Sequence, residues 1–259
     1  MIFNIYLIFA IRLFFLIIIY IEIHLYIMTT VEDTTNTNIQ IIDDKDNKDN
    51  IYSQMKTGDI ILFNGYHSFI SSIIDWFTAS KYSHIGIVLK DPTYIKPELK
   101  GLYLLESGYE PVPDSINHNR KFGVQITNLK QKINDYDGLV IWRKLEAHIS
   151  KMDDKMDIIY QTIKNCPYDL NIIDFLETKN NVFIPEKQYF SAILNWLRPN
   201  HRKTDTFFCS ALVAYIYTGL GLFPKDTQWT RCLPKFFSED NPTLKLLHGK
   251  LGNQVIIKQ

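Results

Sequence analysis

The sequence predicts an α+β domain, and three observations support this prediction. Four short runs rich in Ile, Leu and Val have the length and composition of buried strands. Longer segments carry their apolar residues at helical spacing instead. The chain has 259 residues, 46% of them hydrophobic, which is enough for one domain of ordinary to large size around a core.

The four predicted strands are residues 58–63, 83–89, 101–105 and 139–142, and we expect them to form one sheet. His84 lies at the start of the second strand, and the third runs into Glu106. If these two strands pair, the side chains of His84 and Glu106 lie close together.

Two predicted helices follow the strands. Residues 149–163 carry Ile149, Met152, Met156, Ile159 and Ile163 on one face, which indicates an amphipathic helix. A more apolar helix begins at Cys209, after a polar stretch over residues 202–205, and the glycines at 219 and 221 stop it. An apolar helix is also predicted over residues 69–77, and a short one near residue 233.

Residues 1–28 are almost continuous Ile, Leu, Phe and Tyr, interrupted by Asn4, Arg12, Glu22 and His24. This segment is too long for a signal peptide and lacks a small-residue cleavage site. A central charge opposes membrane insertion by about 2.5–3.5 kcal/mol, while each Leu, Ile or Phe favours it by about 0.3–0.6, so insertion is energetically feasible. Two interpretations stay open: a membrane anchor, or upstream sequence ahead of a start at Met28, which would leave the protein cytoplasmic.

The composition changes after this segment. Residues 29–52 are rich in Thr, Asn and Asp, which is typical of a disordered polar linker. We therefore expect the folded domain to occupy residues 53–259.

Charge and cysteine content exclude several classes of function. The 28 basic and 28 acidic residues give a net charge of zero, so we expect no nucleic-acid partner. The three cysteines have no C-x-x-C spacing, which argues against a zinc site and a disulfide framework. No metal and no organic cofactor is predicted.

Cys209 is the candidate nucleophile. A thiol at a helix start faces unpaired backbone N–H groups and the positive end of the helix dipole, and both favour the thiolate. The same N–H groups could hold the oxyanion of an attacked carbonyl. The alternative is an inert core cysteine, since free Cys is among the most buried residue types.

His84 is the candidate base, because a strand holds its ring rigidly at the mouth of a cleft. Glu106 would accept the second ring N–H, fix the tautomer and stabilise the imidazolium. The alternatives are a structural histidine at a sheet edge and a surface carboxylate at a strand end. His67 is a second candidate base, ranked below His84 because a turn holds a side chain less firmly.

Four motifs occur in a specific order along the chain: Gly58-Asp59-Ile60, Ser83-His84-Ile85-Gly86, Cys166-Pro167-Tyr168-Asp169 and Cys209-Ser210-Ala211-Leu212-Val213. Over about residues 55–240 the sequence resembles the circularly permuted papain-like cysteine hydrolases of the YaeF/YiiX-like group, which includes poxvirus members. These are distant relatives of the NlpC/P60 peptidases and the lecithin:retinol acyltransferase-like enzymes.

The resemblance implies a permuted papain-like fold in which an antiparallel sheet packs against the helix of the catalytic cysteine. It implies that Cys209 is the nucleophile, His84 the base and Glu106 the third member of a triad. Tyr168 would be a pocket residue near the thiol.

The chain departs from the family pattern between Tyr168 and Cys209, where about forty residues intervene and the extra length lies near residues 177–204. Apolar residues at helical spacing around Trp196 precede a basic run. One interpretation is a helix packed on the core. The other is a lid over the Cys209 cleft, with Trp196 lining a hydrophobic channel for substrate.

Together these features predict a cysteine hydrolase or acyltransferase that acts on amide or ester bonds through an acyl-thioester. The expected substrate is a small amide or ester, or an acyl lipid, with residues 1–28 as a candidate membrane attachment. Three alternatives stay open: a cysteine peptidase of the NlpC/P60 type, a non-catalytic module that binds lipid or peptide on the same fold, and a membrane-tethered scaffold.

Overall fold

A computed structural model describes residues 45–65, 81–109, 112–168, 207–241 and 243–259. All of them belong to one unit, residues 40–259. Residues 1–28, the predicted helix at 69–77 and the insert near 177–204 lie outside the described residues. Within the described ranges, no helix is both long enough and apolar enough to cross a membrane.

The described residues form an α+β fold, as predicted, around a six-stranded sheet in which all neighbouring strands are antiparallel. The strand order is β4-β3-β2-β1-β5-β6. The strands are β1 (Ile60–Asn64), β2 (His84–Lys90), β3 (Leu102–Tyr109), β4 (Phe122–Asn128), β5 (Leu139–Glu146) and β6 (Lys250–Lys258). The α-helices are α1 (Lys45–Gln54), α2 (Leu129–Asp135), α3 (Met152–Ile163) and α4 (Cys209–Gly219), and two 3-10 helices span Trp229–Arg231 and Pro234–Phe237.

The four predicted strands are confirmed as β1, β2, β3 and β5 of one sheet, while β4 and β6 were not predicted. β3 continues to Tyr109, so Glu106 lies inside this strand and not at its end. The helix predicted over residues 149–163 begins at Met152, because Lys151 before it has a left-handed backbone with φ 53°.

The sheet has a hydrophobic cluster on each face. The first cluster contains Ile85, Ile87 and Leu105 together with the buried sides of α3 and α4. The second cluster contains Val88 and Leu104 together with residues of α1 and α2. Since successive side chains of a strand point to opposite faces, odd and even positions of β2 separate cleanly between the two clusters.

The predicted disordered linker over residues 29–52 is wrong at its C-terminal end. Helix α1 occupies Lys45–Gln54, and both Ile51 and Met55 are buried in the second cluster. Two apolar side chains in a charged segment are a weak sequence signal, yet they attach this helix to the sheet. The folded domain therefore includes residues before 53.

Candidate active site

The predicted contact between His84 and Glu106 is present. Nε2 of His84 lies 2.7 Å from Oε2 of Glu106. His84 is the first residue of β2, and Glu106 lies on the neighbouring β3, so the pairing of these strands creates the contact. The side chain of His84 is 14% exposed, whereas that of Glu106 is fully buried. The imidazole therefore forms the solvent-facing part of this pair.

Two further side chains hold the Glu106 carboxylate. Thr127 of β4 donates its hydroxyl to Oε1 at 2.6 Å, and Nζ of Lys132 on α2 lies 2.5 Å from Oε2. Burial favours the neutral carboxyl, but the charge of Lys132 and the hydrogen bond with His84 outweigh it. As a result the pKa of Glu106 is lowered to about 2. The carboxylate is thus ionised and held in position by side chains from the two neighbouring strands and one helix.

This arrangement determines the tautomer of His84. A carboxylate accepts hydrogen bonds, so the Nε2 atom that contacts Glu106 carries the proton. In the neutral imidazole Nδ1 is then the acceptor nitrogen. The ring of Phe63 on β1 lies beside the imidazole, with ring centroids 5.5 Å apart, and limits its rotation.

Cys209 is the first residue of α4, as the sequence predicted. The first hydrogen bond of this helix runs from the Leu212 N–H to the Phe208 carbonyl at 3.0 Å. The N–H groups of Cys209, Ser210 and Ala211 precede that bond and lie at the positive end of the helix dipole. Within the described part of the chain, the buried hydroxyl of Ser210 has no hydrogen-bond partner.

The segment before Cys209 is fixed to the sheet at Phe207. The Phe207 carbonyl accepts a hydrogen bond from the Ser107 hydroxyl at 2.6 Å, and the Phe207 N–H donates to the Pro167 carbonyl at 3.1 Å. Tyr168 pairs with Phe207 in a parallel bridge, and its ring stacks on that of Phe122 with centroids 4.9 Å apart. Tyr168 therefore pairs with Phe207, which precedes Cys209 by two residues.

The candidate nucleophile and the candidate base approach the sheet from opposite faces. Cys209 belongs to the first cluster and is 2% exposed. Glu106 follows Leu104 by two residues and contacts Lys132, so it points to the face of the second cluster, and His84 contacts it there. Both groups lie at the same end of the sheet, because Ser107, which holds the segment before Cys209, is the residue after Glu106.

The other two cysteines have different surroundings. Cys166 is half-buried, and its carbonyl accepts a hydrogen bond from the Val124 N–H at the edge strand β4. Cys232 is buried, and burial raises the pKa of its thiol to about 12. Neither cysteine starts an α-helix among the described elements.

A cavity of about 560 Å³ opens beside the segment that leads into β2. Its lining combines the apolar side chains of Leu233 and Phe236 with several charged ones, and it includes Tyr82, two residues before His84. His84, Glu106 and Cys209 do not line this cavity. In the ranges that the structure describes, no three His, Cys, Asp or Glu side chains are arranged to hold a metal ion.

Lys132 and Thr127 belong to this site although the sequence analysis did not single them out. Trp196 and the alternative base His67 lie outside the described residues. Lys132 was missed because lysine is rarely buried unless it is paired. The signal that could have found it is the spacing of Leu129, Lys132 and Ile133, which lie on one face of α2 and are all buried.

Comparisons with known proteins show a similarity to solved structures but not to protein families. No protein-family model and no curated protein matches the chain. The crystal structure of the metalloprotein YiiX from Escherichia coli O157:H7 is similar to this chain with a TM-score of 0.38 and 21% sequence identity. The match covers 78% of this chain and 89% of YiiX.

Proposed function

We propose that the protein is a cysteine hydrolase or acyltransferase that acts on amide or ester bonds through an acyl-thioester on Cys209. The observation that carries the proposal is the 2.7 Å contact between His84 Nε2 and Glu106 Oε2, because it creates an oriented imidazole at the sheet end where α4 begins. The order of the four motifs, with the histidine strand before the cysteine helix, supports a permuted papain-like fold of the YaeF/YiiX-like group.

The proposed reaction uses each residue in one role. Nδ1 of His84 accepts the thiol proton, and Sγ of Cys209 attacks the carbonyl carbon of the substrate. The N–H groups at the start of α4, with the Ser210 hydroxyl as a neighbouring donor, stabilise the oxyanion. As the amide or ester bond breaks, the departing amine or alcohol takes the proton from His84, and the acyl group stays on sulfur.

The second half of the reaction returns the enzyme to its starting state. Water or another acceptor gives a proton to His84 and attacks the thioester carbon. The sulfur leaves as thiolate and recovers the proton from the imidazolium. Glu106 keeps its hydrogen bond with Nε2 throughout, so the ring stays in the same orientation in both half-reactions.

The proposed substrate carries a lipid-like acyl chain. The apolar run around Trp196 is the reason for this choice, since each buried CH₂ contributes about 0.8 kcal/mol of binding free energy. Turnover of N-acyl or O-acyl substrates should rise as the chain grows from about 8 to 14 carbons. A flat profile together with efficient cleavage of unacylated peptides would favour the NlpC/P60-type peptidase instead.

A second candidate function is a non-catalytic module that binds lipid or peptide. The observation that favours it is the burial of Cys209 on the first face of the sheet, while His84 and Glu106 point to the second. The enzymatic proposal requires the thiol of Cys209 and the imidazole of His84 to come into contact at the end of the sheet, beside the first residue of β2.

A thiol probe distinguishes the two functions. We expect a fluorescent iodoacetamide to label the wild-type protein near pH 7, and Cys209→Ala to abolish the labelling. Cys166→Ala and Cys232→Ala are the matched controls and should keep it, because neither thiol lies at the start of an α-helix. Labelling that persists in Cys209→Ala and disappears in Cys166→Ala would contradict the enzymatic proposal.

A further inference from the structure

Lys132 is a buried cation that the proposed reaction does not use. Its side chain on α2 is 3% exposed, and its ammonium lies 2.5 Å from Oε2 of Glu106 and 5.2 Å from the centre of the Phe63 ring. Lysine is almost never buried without a partner, because removing the ammonium from water is costly. Lys132 is therefore part of the arrangement around Glu106 and not a surface residue of α2.

Lys132 and His84 share one carboxylate oxygen. Nζ of Lys132 and Nε2 of His84 contact Oε2 of Glu106 at 2.5 and 2.7 Å, so the two nitrogens are at most about 5 Å apart. The hydroxyl of Thr127 contacts the other oxygen. The Glu106 carboxylate thus interacts with an ammonium group and an imidazole at the same time.

This division matters for the protonation of His84. A lone buried carboxylate next to a histidine favours the imidazolium and raises the pKa of the ring. A carboxylate whose charge is already neutralised by an ammonium group raises the pKa of a neighbouring histidine far less. A general base that accepts a thiol proton near pH 7 has to be neutral at the start of the reaction.

We propose that Lys132 is a positioning residue of this site, which neutralises Glu106 so that Glu106 orients His84 without holding it as an imidazolium. The catalytic meaning of this role depends on the proposed function of His84 as the base. Among the described residues, the charged groups that contact Glu106 are Lys132 of α2 and, when protonated, His84 of β2, whereas Thr127 and Phe63, which also contact this cluster, are neutral.

The direct test is the pKa of His84, followed by NMR of labelled histidine. Replacement Lys132→Met removes the compensating charge and should raise this pKa by about 1–3 units. Lys132→Arg keeps the charge and should leave the pKa of His84 near its wild-type value. A His84 pKa that is the same in Lys132→Met and in the wild type would overturn the proposal.

A double variant protects the test against misfolding of Lys132→Met. Glu106→Gln combined with Lys132→Met removes both buried charges, so neither is left without a partner. If Lys132 neutralises Glu106, the pKa of His84 in this variant should stay within about half a unit of the wild-type value. A fall of about 1–3 units would show that Glu106 acts on His84 as an uncompensated charge, and would overturn the proposal.

The pH dependence of Cys209 alkylation separates this inference from the proposed function. The midpoint found for His84 by NMR should appear in the alkylation profile and should shift with it in Lys132→Met. If the NMR midpoint shifts while the alkylation profile does not, the role of Lys132 stands and His84 is not the base for Cys209.

Discussion

The hydrogen bond between Ser107 and Phe207 attaches the start of α4 to the sheet, and its loss should be measurable. The Ser107 hydroxyl donates to the Phe207 carbonyl at 2.6 Å, and both residues are fully buried. Ser107→Ala leaves that carbonyl without this donor, which costs about 1–3 kcal/mol of unfolding free energy. For a domain of roughly 200 residues, each kcal/mol lowers the melting temperature by about 2–4 °C.

The assay is urea unfolding followed by circular dichroism, together with the alkylation rate of Cys209. Because Phe207 lies two residues before Cys209, a shift of this segment should also slow alkylation. The matched control is Ser53→Ala, which removes a hydroxyl–carbonyl hydrogen bond of the same 2.6 Å length at an exposed site. The control should change the unfolding free energy by less than about 0.5 kcal/mol. Equal stability of the two variants would refute the reasoning.

Two other predictions concern Glu106 and Gly123. Folding lowers the pKa of Glu106 from 4.5 to about 2, so its carboxylate contributes stability above about pH 4.5 that is lost as the pH falls through 2. In Glu106→Gln the unfolding free energy should no longer depend on the titration of this carboxyl between about pH 4.5 and 2. A pH dependence identical to that of the wild type would contradict the prediction. Gly123 has φ 151°, and an added Cβ would lie 2.5 Å from the Cys166 carbonyl oxygen. The control is Gly101→Ala, because Gly101 also has a positive φ, of 101°, but an added Cβ there would meet no atom within 4 Å. Gly123→Ala should have an unfolding free energy lower than that of Gly101→Ala by more than about 1 kcal/mol. Equal losses of stability in the two variants would contradict this prediction.

The sequence predicted those parts of the fold whose residues repeat a clear pattern. β2 is the best example, because its apolar run from Ile85 to Leu89 is buried throughout. β4 was missed because Gln125 and Thr127, both polar, occupy buried positions in it. Helix α2 has only seven residues and one of its three buried positions is a lysine, so the helical spacing of Leu129, Lys132 and Ile133 is a short signal that was overlooked.

The candidate site divides in the same way. The contact between His84 and Glu106 could be predicted, because it follows from the antiparallel pairing of two recognisable strands. The surroundings of Glu106 could not, since Thr127 and Lys132 reach it from elements that the sequence did not reveal. The separation of Cys209 and His84 between two faces depends on register, which sequence patterns alone do not determine.

The central claim is that Cys209 forms an acyl-thioester with the help of His84. The most direct measurement is intact-protein and peptide mass spectrometry after a short incubation with p-nitrophenyl octanoate. The account predicts one octanoyl group on the peptide that contains Cys209, none in Cys209→Ala, and at least about a hundredfold slower acylation in His84→Ala. Absence of the adduct from the wild type, or acylation of Cys209 at the same rate without His84, would contradict the account.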